Sequence, residues 1–170
     1  MKMREITSAR EAYDAEPDHA EALNQTGFWG KAGAGCIFLA KATGRLGIVH
    51  RGPSVEQPNT WGTIGGAIDP NESPQRAVER EGQEEVGYTR QHGDYFVPLD
   101  MFESGTFRYT TLLYVVEAEF NGRLNWESQD FNWFTLDDLP QPLHFGIAAT
   151  LSKTKPISII KTEIAKYRSA

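Results

Sequence analysis

The stretch Gly66 to Tyr88, GAIDPNESPQRAVEREGQEEVGY, constrains this chain more than any other, because it fixes a helix at both ends and loads one edge with acid. Ser73 can accept from the free amides of a first turn, Pro74 suits the first helical position, and Gly87 suits a left-handed stop. Asp69 and Glu72 stand just before that start. The spacing predicts a helix over 73–86, roughly 21 Å long at 1.5 Å per residue. At 100° per residue, Glu81, Glu84 and Glu85 fall within an arc of about 100°, beside a stripe of Val78, Gly82 and Val86. One edge therefore packs, and the neighbouring edge carries three acids.

Two features argue against a merely solvated acidic face. Gly82 lies in the packing stripe, where it costs about 1 kcal/mol against alanine, so a close backbone approach is expected there. The three glutamates also repel one another within a turn unless a cation sits among them. Three hard oxygen donors on one rigid face suit Mg²⁺ or Mn²⁺, and Arg80, one turn before Glu84, is placed to hold that carboxylate.

The run resembles the Nudix box, G-x5-E-x7-R-E-U-x-E-E-x-G-U, in which U is a bulky aliphatic residue. Gly66, Glu72, Arg80, Glu81, Glu84, Glu85 and Gly87 fill the seven fixed positions. Gly82 and Tyr88 depart from the two aliphatic ones, and Ile64 stands where many members carry proline. The resemblance is specific over 61–88, looser from about 33 to 150, and does not cover the first 26 residues or the last 15. It implies an α+β Nudix fold: an α/β/α sandwich with a mixed β-sheet and the catalytic loop-helix-loop on one side. It also implies a Mg²⁺- or Mn²⁺-dependent hydrolase that cleaves a pyrophosphate bond in a nucleoside diphosphate derivative, of the ADP-ribose, dinucleoside polyphosphate or nucleoside triphosphate class.

By the matching positions, the resemblance makes Glu81, Glu84 and Glu85 metal ligands, Arg80 the residue that orients them, Glu72 an anchor between loop and helix, and Gly66 and Gly87 conformational. Many members need a further carboxylate from a loop. Glu127 is the candidate, because Glu127-x-x-Asp130-x-x-Trp133 is similar to a spacing found before a strand tryptophan in the family; Asp130 and Glu103 are the reserves. Arg51, Arg108 and His144 are candidate phosphate contacts, and Trp29, Trp61 and Phe107 candidate stacking residues. Gly65 and Gly66 allow close approach of backbone to a ligand. The alternative is a catalytically inactive Nudix-fold nucleotide-binding or regulatory module, although such proteins usually lose one of the three glutamates. An isomerase acting on a diphosphate would need a catalytic cysteine, and Cys36 reads as core.

Length and composition fit this picture. A chain of 170 residues with 39% hydrophobic residues suits one domain, and a net charge of −6 argues against a large nucleic-acid or anionic-membrane surface. One cysteine excludes an internal disulfide, and four separated histidines give no zinc spacing. No stretch approaches 18 apolar residues and Met1 to Asp14 holds no apolar run, so the chain reads as cytoplasmic with a small-molecule nucleotide substrate. Residues 1–26 read as an N-terminal extension, helical or partly ordered, that covers the site or pairs two subunits as a homodimer; residues 27–170 read as a single Nudix hydrolase domain. Strand texture predicts a hairpin over 33–40 and 46–50, one strand over 61–68, paired strands over 95–102 and 107–120, and a strand over 131–136. Apolar residues at 157, 160, 164 and 167 predict a terminal helix.

Overall fold

The computed structural model describes residues 32–168; the expected extension over 1–26 lies outside them. Seven strands form a mixed sheet: β1 (Ala32–Ala40), β2 (Leu46–Arg51), β3 (Trp61–Gly62), β4 (Ile64–Ala67), β5 (Tyr95–Ser104), β6 (Phe107–Val116) and β7 (Ser128–Phe134). Three helices complete the described fold: α1 (Pro74–Val86), α2 (Phe145–Leu151) and α3 (Thr154–Tyr167).

β1 is the spine. It pairs in parallel with β6 along its whole length, from Ala32 opposite Arg108 to Ala40 opposite Val116. Its other edge is shared, with β4 taking Gly33 to Cys36 and β2 taking only Phe38 and Leu39. The hairpin expected from the sequence therefore exists, but most of β1 pairs elsewhere. β5 lies antiparallel on β6, while β2 carries β3 and β7.

The period of two on β1 and β6 sorts the core into two layers. Ala34, Cys36, Phe38, Leu112, Tyr114 and Val116 face α1, which supplies Ala77, Val78 and Val86. Ile37, Leu39, Leu113 and Val115 face the other way, against Ile147 of α2 and Ile160 of α3. Each fully buried aliphatic or aromatic side chain contributes about 1.5–3 kcal/mol, so these strands, buried on both faces, hold the domain together. The result is the α/β/α sandwich expected.

Four details differ from the sequence reading. The single strand over 61–68 is two, because Thr63 carries the chain from β2, where Trp61 pairs with His50, to β1, where Ile64 pairs with Cys36. β7 begins at Ser128, before Phe131, because its polar start pairs with the end of β2. α2 was not expected: FGIAATL has no polar face to mark a period, and its cap is His144, whose Nδ1 accepts from the Gly146 N–H at 2.9 Å. Gly82 has no tight neighbour, since a Cβ there would meet Tyr88 at 3.4 Å and Phe38 at 3.9 Å, ordinary contacts.

Tyr88, the other departure from the aliphatic pattern, is absorbed by an aromatic core. Its ring lies 4.9 Å from that of Phe38, and its hydroxyl donates to Asp94 at 2.6 Å. The polar tip is thus satisfied where an aliphatic residue would need no partner.

Candidate active site

α1 begins and ends as its sequence dictates. The Ser73 Oγ accepts from the Arg76 N–H at 3.1 Å, Pro74 opens the first turn, and Gly87 closes the last with φ of 75°. The helix is pinned to the preceding loop by one guanidinium. Arg80 donates to both oxygens of Glu72, at 2.9 and 3.0 Å, to Glu81 at 2.8 Å, and to the Ala67 carbonyl at the end of β4 at 2.9 Å. Glu72 in turn accepts from the Asp69 N–H at 2.9 Å. The Arg80 hydrogen bond holds the Glu72 carboxyl below the ordinary range.

Arg80 also reaches Glu84, the carboxylate it was expected to hold, but as its outermost ion pair: Glu84 is 3.9 Å from the guanidinium with its side chain 56% exposed, and the closer grip is on Glu72 and Glu81. The three acids do not share one wet face. Glu81 is 3% exposed and Glu85 is fully buried, both on the packed side of the helix. Burial raises the Glu81 carboxyl above the ordinary range, even though Glu85 stands within hydrogen-bond reach and Arg80 opposes the rise. Glu85 also lies near Cys36, whose thiol is pushed well up by burial first and by Glu85 second. Cys36 is a core residue without a reactive thiolate.

The loop acid is buried too. Glu127 is 5% exposed just before β7, and its Oε1 accepts from the Asn125 amide at 3.2 Å. Its backbone carbonyl accepts from Gly52 N–H at 2.9 Å, which fixes it beside the end of β2. The reserves look different: Asp130, inside β7, accepts from the N–H of its neighbour Phe131, and Glu103 is an exposed partner of Arg108.

A cavity of about 110 Å³ opens between β5, β6 and α2. Phe102, Phe107 and Phe145 give it aromatic walls, with Thr63, Tyr109 and His144 among the polar lining. Arg51 reaches it as well, but is 2% exposed and donates to the carbonyls of Glu56 and Gln57, so it also clamps the loop after β2. Opposite, Asp100 accepts from Thr150 at 3.0 Å and from Lys153 at 2.9 Å, tying α2 to β5.

Of the residues expected to bind substrate, Arg51, His144 and Phe107 therefore line the cavity. Trp61 does not: it stacks on His50 at 4.6 Å and meets Phe134 edge-on, a core position. Arg108 is spent on Glu103 at the surface, and Trp29 lies outside the described residues. Gly65 answers to strand pairing, since a Cβ there would stand 2.2 Å from the Ala34 carbonyl oxygen. Gly66 pairs with Ala34 in the same ladder.

Tyr109, Thr63, Phe102 and Phe145 were not singled out from the sequence. One signal was available for Tyr109. The Gly33-Ala-Gly35 pattern inside a strand marks room for something large, and the Tyr109 ring fills it, 2.9 Å from where a Cβ on Gly33 would stand. That ring lines the cavity, and burial raises its phenol against the opposing Thr63 hydrogen bond.

A profile of the NUDIX domain matches residues 30–153. An 8-oxo-dGTP diphosphatase of Escherichia coli is 32% identical over 111 residues, covering 62% of this chain and 84% of that protein. A Mycobacterium tuberculosis protein, provisionally named as an 8-oxo-dGTP diphosphatase, is 27% identical over 138 residues, or 75% of this chain. The chain spans 64% of that relative's length, less than two thirds. Among solved structures, the Nudix hydrolase RenU of Mycobacterium smegmatis superposes with a TM-score of 0.62 at 26% identity, covering 78% of this chain and 88% of that one.

Proposed function

The chain belongs to the NUDIX domain family of hydrolases, and on that premise we propose that it hydrolyses the pyrophosphate linkage of a nucleoside triphosphate, with a divalent cation, Mg²⁺ or Mn²⁺, at Glu81, Glu84 and Glu85. The observation that carries this reading is the pinned acidic helix: Arg80 holds Glu81 and ties α1 to Glu72 and to the end of β4, with Glu85 buried beside Glu81. The cavity walled by Phe102, Phe107 and Phe145 is the place offered for a base.

The donor set suits the cation. Two adjacent buried carboxylates need a shared proton or a positive charge between them, and hard oxygen donors favour Mg²⁺ and Mn²⁺. Among the described residues no three acidic, histidine or cysteine side chains converge on one point, so the fit lies in donor chemistry. Glu84, the exposed member, would complete the set by turning toward the other two. When bound, the cation supplies positive charge against the phosphate oxygens and makes water easier to deprotonate.

The chain's own residues do the rest. Arg80 fixes Glu81 and, through Glu72, the loop that leads into α1. Glu127 serves as general base: it takes a proton from the attacking water, whose oxygen bonds to phosphorus while the bridging P–O bond breaks and its electron pair leaves on the departing phosphate. The relatives' names make an oxidised purine nucleoside triphosphate the first substrate to try. Nucleotides of this kind are cytoplasmic metabolites, and no helix among the described residues is long and apolar enough to cross a membrane.

The test is a mass-spectrometric product screen of 8-oxo-dGTP, dGTP, ADP-ribose and diadenosine polyphosphates with Mg²⁺, Mn²⁺ or chelator. Metal-dependent release of a nucleoside monophosphate is expected. Glu85→Gln should lower turnover at least about a hundredfold. Glu127→Gln should lower kcat by about 10²–10⁴ with KM little changed. Wild-type turnover in Glu85→Gln and Glu84→Gln alike would overturn the ligand assignment. Mn²⁺ binding without any turnover would favour the inactive binding module.

A further inference from the structure

The aromatic walls of the cavity run out to its mouth. Phe102 on β5 and Phe145 at the start of α2 both line it, yet they are 41% and 44% exposed. Apolar side chains exposed one at a time are ordinary in a folded protein. Two aromatic rings at the mouth of one apolar cavity make a patch with room for a covering group.

The strand ladder shows which part of the chain arrives there. β1 opens at Ala32 and β6 at Phe107, and the two run parallel with Ala32 opposite Arg108. The chain therefore enters the sheet beside Phe107, which is itself in the cavity wall. Gly33 then stands opposite Tyr109, and Tyr109 opposite Phe102. Phe102 is thus two strands from the point of entry, about 10 Å at the ordinary spacing of a sheet. Three residues of extended chain span about the same distance, so Trp29, three residues before Ala32, can reach it.

The chemistry of that approach suits the patch. Phe28 and Trp29 stand side by side in the sequence, just ahead of residue 30, where the NUDIX profile begins. Tilted and edge-on aromatic contacts add to the gain from burial alone. A second copy of the chain is the competing occupant, and it would approach along the edge strand β5. That edge is blunted, because the register shifts between Pro98 and Asp100 and Pro98 has no N–H to offer.

We infer that Phe28 and Trp29 dock on Phe102 and Phe145 of the same chain and close the mouth of the cavity over a bound base. The docking stands on the fold alone; the base beneath it rests on the hydrolase reading above and deepens it, by placing a wall of the base site outside the family pattern.

The experiment uses the full chain with Phe102→p-benzoylphenylalanine, a photo-crosslinking side chain of similar shape, and position 145 is a second site should that variant fold poorly. The protein is irradiated as a mixture of unlabelled and isotope-labelled copies, then digested with trypsin and read by mass spectrometry. A cross-link to peptide 11–31 of the same isotopic form is expected. In a Phe28→Ala/Trp29→Ala background its yield should fall to background, whereas Trp29→Phe should keep it. In the rate assay with 8-oxo-dGTP and Mn²⁺, the double alanine variant should raise KM about tenfold, the scale of one lost stacking contact on a base, with kcat little changed.

Cross-links between copies would overturn the inference in favour of a dimer face. Cross-links confined to residues beyond 31 would overturn it too, as would an unchanged yield in the double alanine variant, since mere tethering would then explain the contact. A wild-type KM in that variant, with the cross-link lost, would separate the docking from base binding and overturn the closure. If the wild type turns over none of the nucleotides, the hydrolase reading falls by itself, and the cross-links still decide the docking.

Discussion

Two helices of nearly equal length, α1 with 13 residues and α3 with 14, both bury glutamate and use it in opposite ways. Glu163 of α3 is 5% exposed and complete: its Oε1 accepts from the Tyr95 hydroxyl at 2.6 Å and its Oε2 from Lys166 at 2.9 Å. Burial pushes that carboxyl up, but the Lys166 and Tyr95 hydrogen bonds outweigh it and leave it below the ordinary range. In α1 the balance runs the other way. Burial wins over Arg80, and Glu81 is raised beside a second buried carboxylate. A buried acid with its own cation is a strut between helix and sheet. Glu81, held by Arg80 with Glu85 buried beside it, belongs to a group that a further positive charge can complete.

The contrast is sharpest in a crossed pair of variants. Glu85→Gln is expected to abolish activity, by at least about a hundredfold, while its melting temperature stays level or rises as like-charge repulsion is relieved. Glu163→Gln is expected to do the reverse, with kcat unchanged and about 1–2 kcal/mol of stability lost with the ion pair. Thermal melts and initial rates on both proteins check this. A loss of stability in Glu85→Gln equal to that in Glu163→Gln would erase the distinction between the helices.

Acid should narrow the difference. A carboxyl whose folded pKa is depressed contributes stability above its unfolded value, and loses it as pH falls through the folded one. For Glu163 that window starts near the ordinary value of 4.5 and extends downward. The gap in melting temperature between wild type and Glu163→Gln is therefore expected to be constant from pH 7 to about 5.5 and to shrink from there toward about pH 3. Melts across that range decide it, and a gap that widens in acid would show that Glu163 is not the partner described.

The smallest effect expected is on the packed side of α1. Because a Cβ at Gly82 meets only ordinary contacts, Gly82→Ala is expected to stabilise the protein by about 0.5–1 kcal/mol with activity unchanged. A chemical denaturation midpoint measures it. Destabilisation would mean that Tyr88 and Phe38 cannot yield the few tenths of an ångström needed.

These cases also separate what local sequence encodes from what it does not. The limits of α1 were legible because Ser73, Pro74 and Gly87 act on the backbone within one turn, and the acidic run because helical spacing alone gathers it. The burial of Glu81 and Glu85 was not, since the same spacing serves a wet face or a dry one until the sheet beneath is in place. The role of Gly82 was misread for a related reason: whether a missing side chain leaves needed room depends on Phe38 and Tyr88, which arrive from other segments. Thr63 was buried in what read as one continuous strand, because nothing in Trp61 to Ile68 marks a change of partner. The cavity walls were the least legible. Phe102, Phe107 and Phe145 come together only through the pairing of β5 with β6 and the docking of α2, which no local period records.

The parallel seam of β1 and β6 bears on how the molecule comes to be active. Ala32 opposes Arg108, so β2, β3, β4, α1 and β5 all lie within the loop that the seam closes. Contacts so distant along the chain form slowly, because the entropy of closing the loop must be met before they contribute. Gly33 and Gly35 on one side of the seam make room for Tyr109 on the other, which lines the cavity, so no fragment that lacks the seam has a whole site. Recovery of enzymatic rate during refolding thus counts molecules whose sheet is closed, whereas helix signals can return before any of them can work.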